Sequence, residues 1–387
     1  MKLMSLMGQI HFGWKCWLRT RISKWSRSWF WILLACWPLA AGEWSHYRNS
    51  SALTGVGSAH VDYPLVEKWQ FQTGAAIAAP PAVVDDGVYV ASTDGFLYKL
   101  NITDGRMLWR YRASGRLKSG PGVWAGRVFF GDELGIFHAL DSETGLVVWR
   151  FESADAIYAA PNFIDDGVFF AGYDQRVYRL GLKRGALLWQ FQTQGFISGT
   201  PSLVADQLYV AGSDGRLRCL NTADGQLNWE ANVGSVVQGS PAVALGLVLV
   251  GSFSGELLAY GAVSGALVWR YRPISGEMVV SGTPAIAEGI AVVGGWDRQV
   301  HAVSMSDGKM IWRYPVRTKL DASPTINQDK VLIGDLSGQV VILDLYSGSR
   351  LWVMKFPTGI KTDVVAAGHE VFVCQENGAI TCLSSMP

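Results

Sequence analysis

The chain has 387 residues, of which 49% are hydrophobic and 17% are charged, and it contains 44 glycines against 14 prolines. This composition is too apolar for a disordered chain and too low in glycine and proline for a fibrous one, so we expect a folded, turn-rich protein. Six of the 33 basic residues lie within residues 1–42, which contain no acid, and the remaining body carries 27 basic and 32 acidic side chains. A mildly acidic body argues against a surface that tracks nucleic-acid phosphates.

Residues 1–42 have the features of an export signal. A basic stretch precedes an apolar run at 29–41, which is too short to span a bilayer comfortably. The small residues at 40–42 predict cleavage with a mature start near Glu43. Residues 33–36 resemble a bacterial lipobox, which would instead leave Cys36 lipidated, and an uncleaved anchor is the third interpretation. We therefore predict an exported, periplasmic protein that contacts the outer membrane only through such a lipid.

The rest of the chain repeats about every forty residues. Each unit places a tryptophan at the same point, and successive tryptophans are separated by 40, 40, 40, 40, 40, 43 and 40 residues. Each of the last seven follows a glycine by four residues. The series is Trp69, Trp109, Trp149, Trp189, Trp229, Trp269, Trp312 and Trp352. Such a period is the signature of a repeat architecture.

Within a unit, short apolar runs alternate with turn residues. The first unit predicts strands at 77–84, 88–92, 96–101 and 107–112, separated by glycine-containing turns such as Asp94-Gly95. Four short antiparallel strands per forty residues indicate a propeller blade. The last unit stops after its third strand, and the strand around Trp69 has nothing before it. We therefore predict an all-β, eight-bladed propeller over 67–387, preceded by a lead-in at 43–66 and closed by the Trp69 strand against the strand around Ile380.

The three cysteines of the body predict no disulfide. An odd number of cysteines cannot form a complete disulfide framework, and the predicted hairpin places Cys374 opposite Ile380 and Cys382 opposite Phe372. These two cysteines become diagonal neighbours, too far apart for an unstrained bridge. We expect Cys219, Cys374 and Cys382 to be free thiols, mostly buried.

The repeats resemble those of the PQQ-type, or quinoprotein, propellers. The segment Ala139 to Trp149 looks like their tryptophan-docking motif, and the lead-in, with Trp44, Tyr47, Arg48 and Gly55, is similar to that of exported members. The resemblance covers residues 44–385 and implies that the motif tryptophans pack against the neighbouring blade. It implies either of two functions. Quinoprotein dehydrogenases bind PQQ and calcium, whereas BamB-type outer-membrane assembly proteins are bare rings used as scaffolds.

The sequence contains no recognised catalytic pattern. His138 and His301 fall in the same strand-three position four blades apart, on opposite sides of the ring, and cannot share a metal. We therefore predict no catalytic residues, no metal site and no cofactor, with PQQ and calcium only under the dehydrogenase alternative. The BamB-type branch fits better, because the chain has no adjacent cysteine pair and no insert larger than the three extra residues within 272–277.

Two columns of the repeat predict where a ligand or partner would bind. The column three residues before the repeat proline varies in chemistry, and on the innermost strand it should line the channel mouth. Its notable members are Lys118, Tyr158, Gln238, Asp321 and Lys361. A small ligand or only water would occupy that mouth. The second column, at the tips of the turns between strands two and three, carries unusually large side chains. These are Tyr173, Phe253, Trp296 and Leu336. They form either a partner-binding patch or a cover folded down onto their own blades, and the favoured function is an envelope scaffold that binds a protein.

Overall fold

The computed structural model describes residues 43–273 and 280–385. The predicted export signal, with Cys36, lies outside these residues, as does most of the predicted insertion after Arg272. Within the described residues no helix is long and apolar enough to cross a membrane. The one helical element of residues 43–273 and 280–385 is a single 3₁₀ turn at Tyr47–Asn49.

The described chain forms eight antiparallel blades of four strands, which we number 1 to 8 along the chain. Each blade is ordered from an inner strand of three residues to an outer strand that forms its free edge. Blade 1 comprises Ala82–Val84, Gly87–Ala91, Phe96–Asn101 and Met107–Arg112. Blade 2 comprises Gly122–Trp124, Arg127–Gly131, Ile136–Asp141 and Val147–Glu152. Blade 3 comprises Asn162–Ile164, Gly167–Ala171, Arg176–Gly181 and Leu187–Gln192.

The remaining blades repeat this arrangement. Blade 4 comprises Ser202–Val204, Gln207–Ala211, Arg216–Asn221 and Leu227–Asn232. Blade 5 comprises Ala242–Ala244, Leu247–Gly251, Leu257–Gly261 and Leu267–Tyr271. Blade 6 comprises Ala285–Ala287, Ile290–Gly294, Gln299–Ser304 and Met310–Pro315. Blade 7 comprises Thr325–Asn327, Lys330–Gly334, Gln339–Asp344 and Arg350–Lys355. Blade 8 comprises Val365–Ala367, Glu370–Cys374, Ala379–Ser385 and Leu65–Gln72.

The predicted eight-bladed ring and its closure are confirmed. Leu65–Gln72 is the outer strand of blade 8 and pairs antiparallel with Ala379–Ser385, which places Trp69 opposite Cys382 and Phe71 opposite Ile380. This pairing joins the two ends of the repeat region and completes the last blade.

The innermost strands are shorter than predicted. In blade 1 the sequence predicts a strand over 77–84, whereas regular pairing covers only Ala82–Val84, and Ile77 makes an isolated bridge to Ser92. Pro80 and Pro81 lie in between, and proline has no backbone N–H to donate to a ladder. The apolar residues before the prolines therefore indicate buried positions and not a hydrogen-bonded strand, since Ile77 is 2% exposed.

The repeat tryptophans join successive blades. The indole ring of Trp69 packs on Gly105 of blade 1, where an added Cβ would lie 2.5 Å from the ring, and its Nε1 donates to the carbonyl of Ile102 at 2.8 Å. The same donor contact to the next blade is made by Trp109, Trp149, Trp189, Trp229, Trp269 and Trp312. Each glycine of the motif therefore contacts the tryptophan of the preceding unit and not its own.

The lead-in crosses the channel and closes one end of it. We call residues 44–57 the plug. Backbone N–H groups of six inner strands donate to plug carbonyls at 2.7–2.9 Å. The donors are Val83, Val123, Leu203, Val243, Ile286 and Ile326. Val56–Gly57 also adds a short parallel strand beside Thr325–Asn327. The plug satisfies inner-edge donors that a bare ring would leave to water.

Candidate functional site

One face of the ring carries both features that the sequence singled out. Turns between the second and third strands contact the links between blades, as in the backbone bonds from Glu133 N to Arg116 O at 3.0 Å and from Phe253 N to Val236 O at 3.0 Å. We call this surface the mouth face. It surrounds the open end of the channel, because the plug closes the channel on the other side.

A polar cavity of about 170 Å³ occupies the channel at the mouth. All five residues of the predicted mouth column line it. These are Lys118, Tyr158, Gln238, Asp321 and Lys361. Tyr47 of the plug also lines this cavity. A ligand would therefore enter from the mouth face into a blind cup, and not pass through the ring.

The charges around the mouth are paired. Lys361 Nζ lies 2.6 Å from Glu376, and its pKa is raised above the ordinary value by that hydrogen bond, with attraction to Asp321 adding to it. Lys118 Nζ lies 3.9 Å from Glu133 and 4.8 Å from the centre of the Tyr158 ring. The mouth is therefore rich in hydrogen-bonding groups but is close to neutral.

Below the mouth, polar side chains of the channel wall form hydrogen bonds between neighbouring blades. Side chains one residue before the repeat proline position accept hydrogen bonds from the backbone of the preceding blade. Thr200 Oγ1 accepts from Ala160 N at 3.0 Å, and Ser240 Oγ accepts from Thr200 N at 2.8 Å. The series continues through Thr283, Ser323 and Asp363. These groups are committed to the fold, which leaves ligand contacts to the residues nearer the mouth.

Arg48 lies at the centre of the plug and is completely buried. Its Nη1 donates to the carbonyl of Pro324 at 2.7 Å and lies 3.1 Å from Asp363 Oδ2, while Nη2 donates to the carbonyl of Pro284 at 3.2 Å. An added Cβ at Gly55, whose φ is +67°, would lie 1.9 Å from Arg48 Nη2. Sequence reasoning noted the Trp44, Tyr47, Arg48 and Gly55 pattern but missed the plug.

The four predicted tip residues are half-buried, between the two alternatives that the sequence left open. Tyr173 stacks on Phe196, with ring centres 4.6 Å apart, and Phe253 meets Trp296 edge to face at 5.7 Å. Trp296 Nε1 donates to Asp321 Oδ1 at 2.9 Å, and Lys319 Nζ lies 4.6 Å from the indole ring. Their outer surfaces remain accessible on the mouth face.

Three exposed apolar residues of the mouth face were missed by the sequence analysis, and two of them, Phe196 and Val236, extend this group. Phe196 is 40% exposed, Val236 is 38% exposed and Leu134 is 64% exposed. Phe196 and Val236 lie in blade links whose carbonyls accept the N–H groups of Ser213 and Phe253. Aligning the blade links, as well as the turn tips, would have found them. We call the set of six on the mouth face the aromatic arc; it consists of Tyr173, Phe196, Val236, Phe253, Trp296 and Leu336.

His138 and His301 are buried pairs with turn aspartates on opposite blades. His138 Nε2 lies 3.0 Å from Asp132 Oδ2, and His301 Nε2 lies 2.9 Å from Asp297 Oδ2. Although burial favours a raised pKa for Asp132, its hydrogen bonds to His138 and to backbone N–H groups lower that pKa below its ordinary value. Arg218 makes the same contact to Asp214 in blade 4, at 2.6 Å. In these three blades the side chain at this position therefore braces the turn.

The body cysteines are free and buried. Cys374 lies opposite Ile380 and Cys382 opposite Phe372, in the predicted diagonal arrangement. Burial raises the pKa of Cys382 to about 12 and raises that of Cys374 further. Neither thiol supplies a reactive thiolate at neutral pH.

The residues at the mouth do not fit the PQQ and calcium that the dehydrogenase alternative requires. Calcium needs six to eight oxygen ligands. Two carboxylates on the channel side, Asp321 and Asp363, are already engaged with Trp296 and Arg48. Across residues 43–273 and 280–385, no three His, Cys, Asp or Glu side chains are grouped in a way that could hold a metal ion.

The geometry agrees with known propellers. The chain is similar in structure to BamB from Moraxella catarrhalis, at 20% identity and a TM-score of 0.72, covering 83% of this chain and 99% of that one. It is also similar to a europium-containing methanol dehydrogenase, at 13% identity and a TM-score of 0.76, covering 89% and 98% of the two chains. The quinohemoprotein alcohol dehydrogenase ADHIIG from Pseudomonas putida HK5 gives 13% identity, a TM-score of 0.79 and coverage of 89% and 80%. At such identities these likenesses show the fold alone.

The comparison with protein families is more specific. No curated protein matches the chain significantly. The family model described as outer membrane protein assembly factor BamB matches residues 66–162, 114–195 and 173–386, which together span nearly all of the ring. The chain therefore belongs to the PQQ-repeat propeller family that this model describes.

Proposed function

We propose that this protein is a non-enzymatic scaffold of the cell envelope that binds a protein partner on its mouth face, in the assembly of outer-membrane proteins. The observation that carries the proposal is the aromatic arc. It places six apolar or aromatic side chains on the mouth face in blades 3 to 7 and their links. Exposed apolar groups beside a polar rim are typical of protein interaction sites. The matching family model is named for outer membrane protein assembly, and one of the similar structures is a BamB. Both support a role in assembly.

Matched variants test whether the arc binds a partner. We expect Phe196→Ser and Val236→Ser to reduce capture of the same envelope protein in pull-downs that are quantified by mass spectrometry. Val263→Ser is the control, because Val263 is 81% exposed but lies in a turn between strands three and four, on the opposite face. Equal capture by all four proteins would contradict the proposal.

Trp296 provides a second test of the arc. Trp296→Ala should weaken partner capture while changing the free energy of unfolding by less than about 1 kcal/mol, because the side chain is half-buried. Thermal melting measures the stability change. A large loss of stability with full partner capture by the folded fraction would mean that Trp296 serves packing alone.

The proposed location outside the cytoplasm rests on the export signal predicted from residues 1–42. We expect a mature mass that begins near Glu43, or at a lipidated Cys36. Cys36→Ser distinguishes these two outcomes. Loss of membrane association would indicate the lipid, and unchanged processing would indicate plain cleavage. A full-length protein retained in the cytoplasm would contradict both.

The alternative function is a PQQ-dependent oxidoreductase, and it is favoured by the similarity in fold to two dehydrogenases. The engagement of Asp321 and Asp363 weighs against it. Titrating PQQ and calcium into the purified protein tests it directly. A saturable change in visible absorbance would favour the alternative over the scaffold.

A further inference from the structure

Blade 1 and its link to blade 2 carry a basic cluster on an otherwise mildly acidic body. Arg110 and Arg112 end the outer strand of blade 1, and Arg116 and Lys118 lie in the link that follows. The three arginines are exposed. Among the described residues, no carboxylate oxygen lies within 4.0 Å of their guanidinium nitrogens, whereas Lys118 is 3.9 Å from Glu133. Within the part of the chain that the structure describes, the three guanidinium groups therefore make no ion pair.

These arginines border a groove of about 300 Å³ between the tips of blades 1 and 2, which we call the arginine groove. Arg112 and Arg116 line it, and so do two carboxylates that are engaged elsewhere. Asp94 accepts hydrogen bonds from Phe96 N at 2.9 Å, Gly74 N at 2.7 Å and Tyr98 Oη at 2.7 Å. Glu133 faces Lys118. Arg110 and Lys118 lie beside the groove, so its surroundings carry four basic side chains against these two acidic ones.

An aromatic ring orients two of the guanidinium groups. The Cζ atoms of Arg110 and Arg112 lie 4.8 and 5.1 Å from the centre of the Phe96 ring. Cation–π contacts of this kind reduce the freedom of the side chains without neutralising their charge. In blade 5 the arginine at the position of Arg110 is paired instead, since Arg270 lies 3.6 Å from Glu256, which occupies the position of Phe96. Blade 1 replaces such an acid with Phe96, which leaves its arginines available to a ligand.

We propose that the arginine groove binds an acidic segment of a protein partner, with neighbouring carboxylates on Arg112 and Arg116 and an apolar side chain against Leu134. This inference rests on the proposed function, for which it specifies the chemistry of the partner. Guanidinium groups bind carboxylates through paired hydrogen bonds. Leu134, which is 64% exposed, also lines the groove. A narrow peptide can enter this concave site and reach both Arg112 and Arg116, whereas a flat anionic membrane would contact only its rim.

The test uses the mature chain and a fluorescein-labelled peptide of sequence Glu-Glu-Leu-Glu-Glu-Leu, with the corresponding Gln peptide as its control. We expect saturable binding of the Glu peptide in anisotropy titrations, weakened by raising the salt concentration. Arg112→Gln with Arg116→Gln should weaken binding about tenfold or more, because each substitution removes a hydrogen bond between charged groups, and the loss of one such bond is enough to lower the affinity about tenfold. The control is Arg270→Gln with Arg272→Gln, which removes the same charge from the outer strand of blade 5 and its link.

The outcomes separate this inference from the proposed function. Absence of peptide binding, or equal weakening by both double variants, would overturn the inference. Binding to phosphatidylglycerol vesicles that is lost in Arg112→Gln with Arg116→Gln, without peptide binding, would assign the groove to lipid and also overturn it. If those variants retain full capture of an envelope partner that Phe196→Ser and Val236→Ser lose, the inference fails and the scaffold function stands. If all of these variants retain capture, neither the aromatic arc nor the arginine groove binds the partner, and the scaffold function and the inference both fail.

Discussion

Removing one partner of the ion pair at the centre of the plug should cost more stability than removing one partner of a surface pair. Arg48 is completely buried, and its partner Asp363 is 4% exposed. Replacing Arg48 with Met keeps most of the aliphatic volume but leaves the Asp363 carboxylate buried without its cation. Removing one partner of a buried pair costs about 3–5 kcal/mol. The carbonyls of Pro284 and Pro324 lose a donor as well, so we expect the upper half of that range.

Thermal melting measures this change. For a ring of this size, 1 kcal/mol corresponds to roughly 1.5 °C in Tm, so Arg48→Met should lower Tm by about 6–7 °C. Adding Asp363→Asn to Arg48→Met should recover part of the loss, because the double variant no longer buries an unpaired charge. Lys309→Met is the control, since Lys309 pairs with Asp307 on the exposed surface and should leave Tm unchanged. A Tm shift below about 2 °C for Arg48→Met, or no recovery in the double variant, would refute the claim that Arg48 neutralises a buried Asp363 carboxylate.

Three further predictions concern the plug, the closure and the blade contacts. Burial lowers the pKa of His46 to about 4. As the pH falls, the imidazole of His46 is therefore protonated in the unfolded chain before it is protonated in the folded one. The stability due to neutral His46 is complete above about pH 6.5 and is lost as pH falls towards about 4, by up to roughly 3 kcal/mol; His46→Gln should flatten that part of a melting-versus-pH curve, and an unchanged slope would contradict the cause. Deleting residues 43–72 removes the plug and the closing strand, so we expect aggregation in size-exclusion chromatography, and a soluble, cooperatively melting truncation would disprove the closure scheme. Gly105→Ala should destabilise the protein more than Gly126→Ala, because both have φ near +70° but only Gly105 faces the Trp69 ring, and equal Tm losses would show that the backbone alone matters.

Blade number, strand order and ring closure were all determined by the sequence, because each depends on a periodic local pattern. Tryptophans forty residues apart and glycine turns between apolar runs specify a blade, and the unpaired strands at the two ends specify the closing contact. The mouth column was also accessible from the alternation of apolar and variable residues, and the structure places all five residues around the cavity. Their placement on the innermost strand was wrong, because they lie in the blade links before it. Local patterns suffice here because each blade contacts mainly its neighbours.

Only the tertiary structure decided what the non-periodic residues do. The lead-in occurs once, so no register relates Arg48 to Asp363, which lies 315 residues away. The neighbours of a turn tip likewise come from different blades, and the half-buried state of Trp296 depends on Asp321 and Phe253. The same holds for the arginine groove. The sequence shows the charges of Arg112 and Arg116, but only the distances in the structure show that neither makes an ion pair with a described residue. Burial and pairing of charges are set by the whole ring, because electrostatic energies depend on the distance between charges and on burial, whatever their separation along the chain.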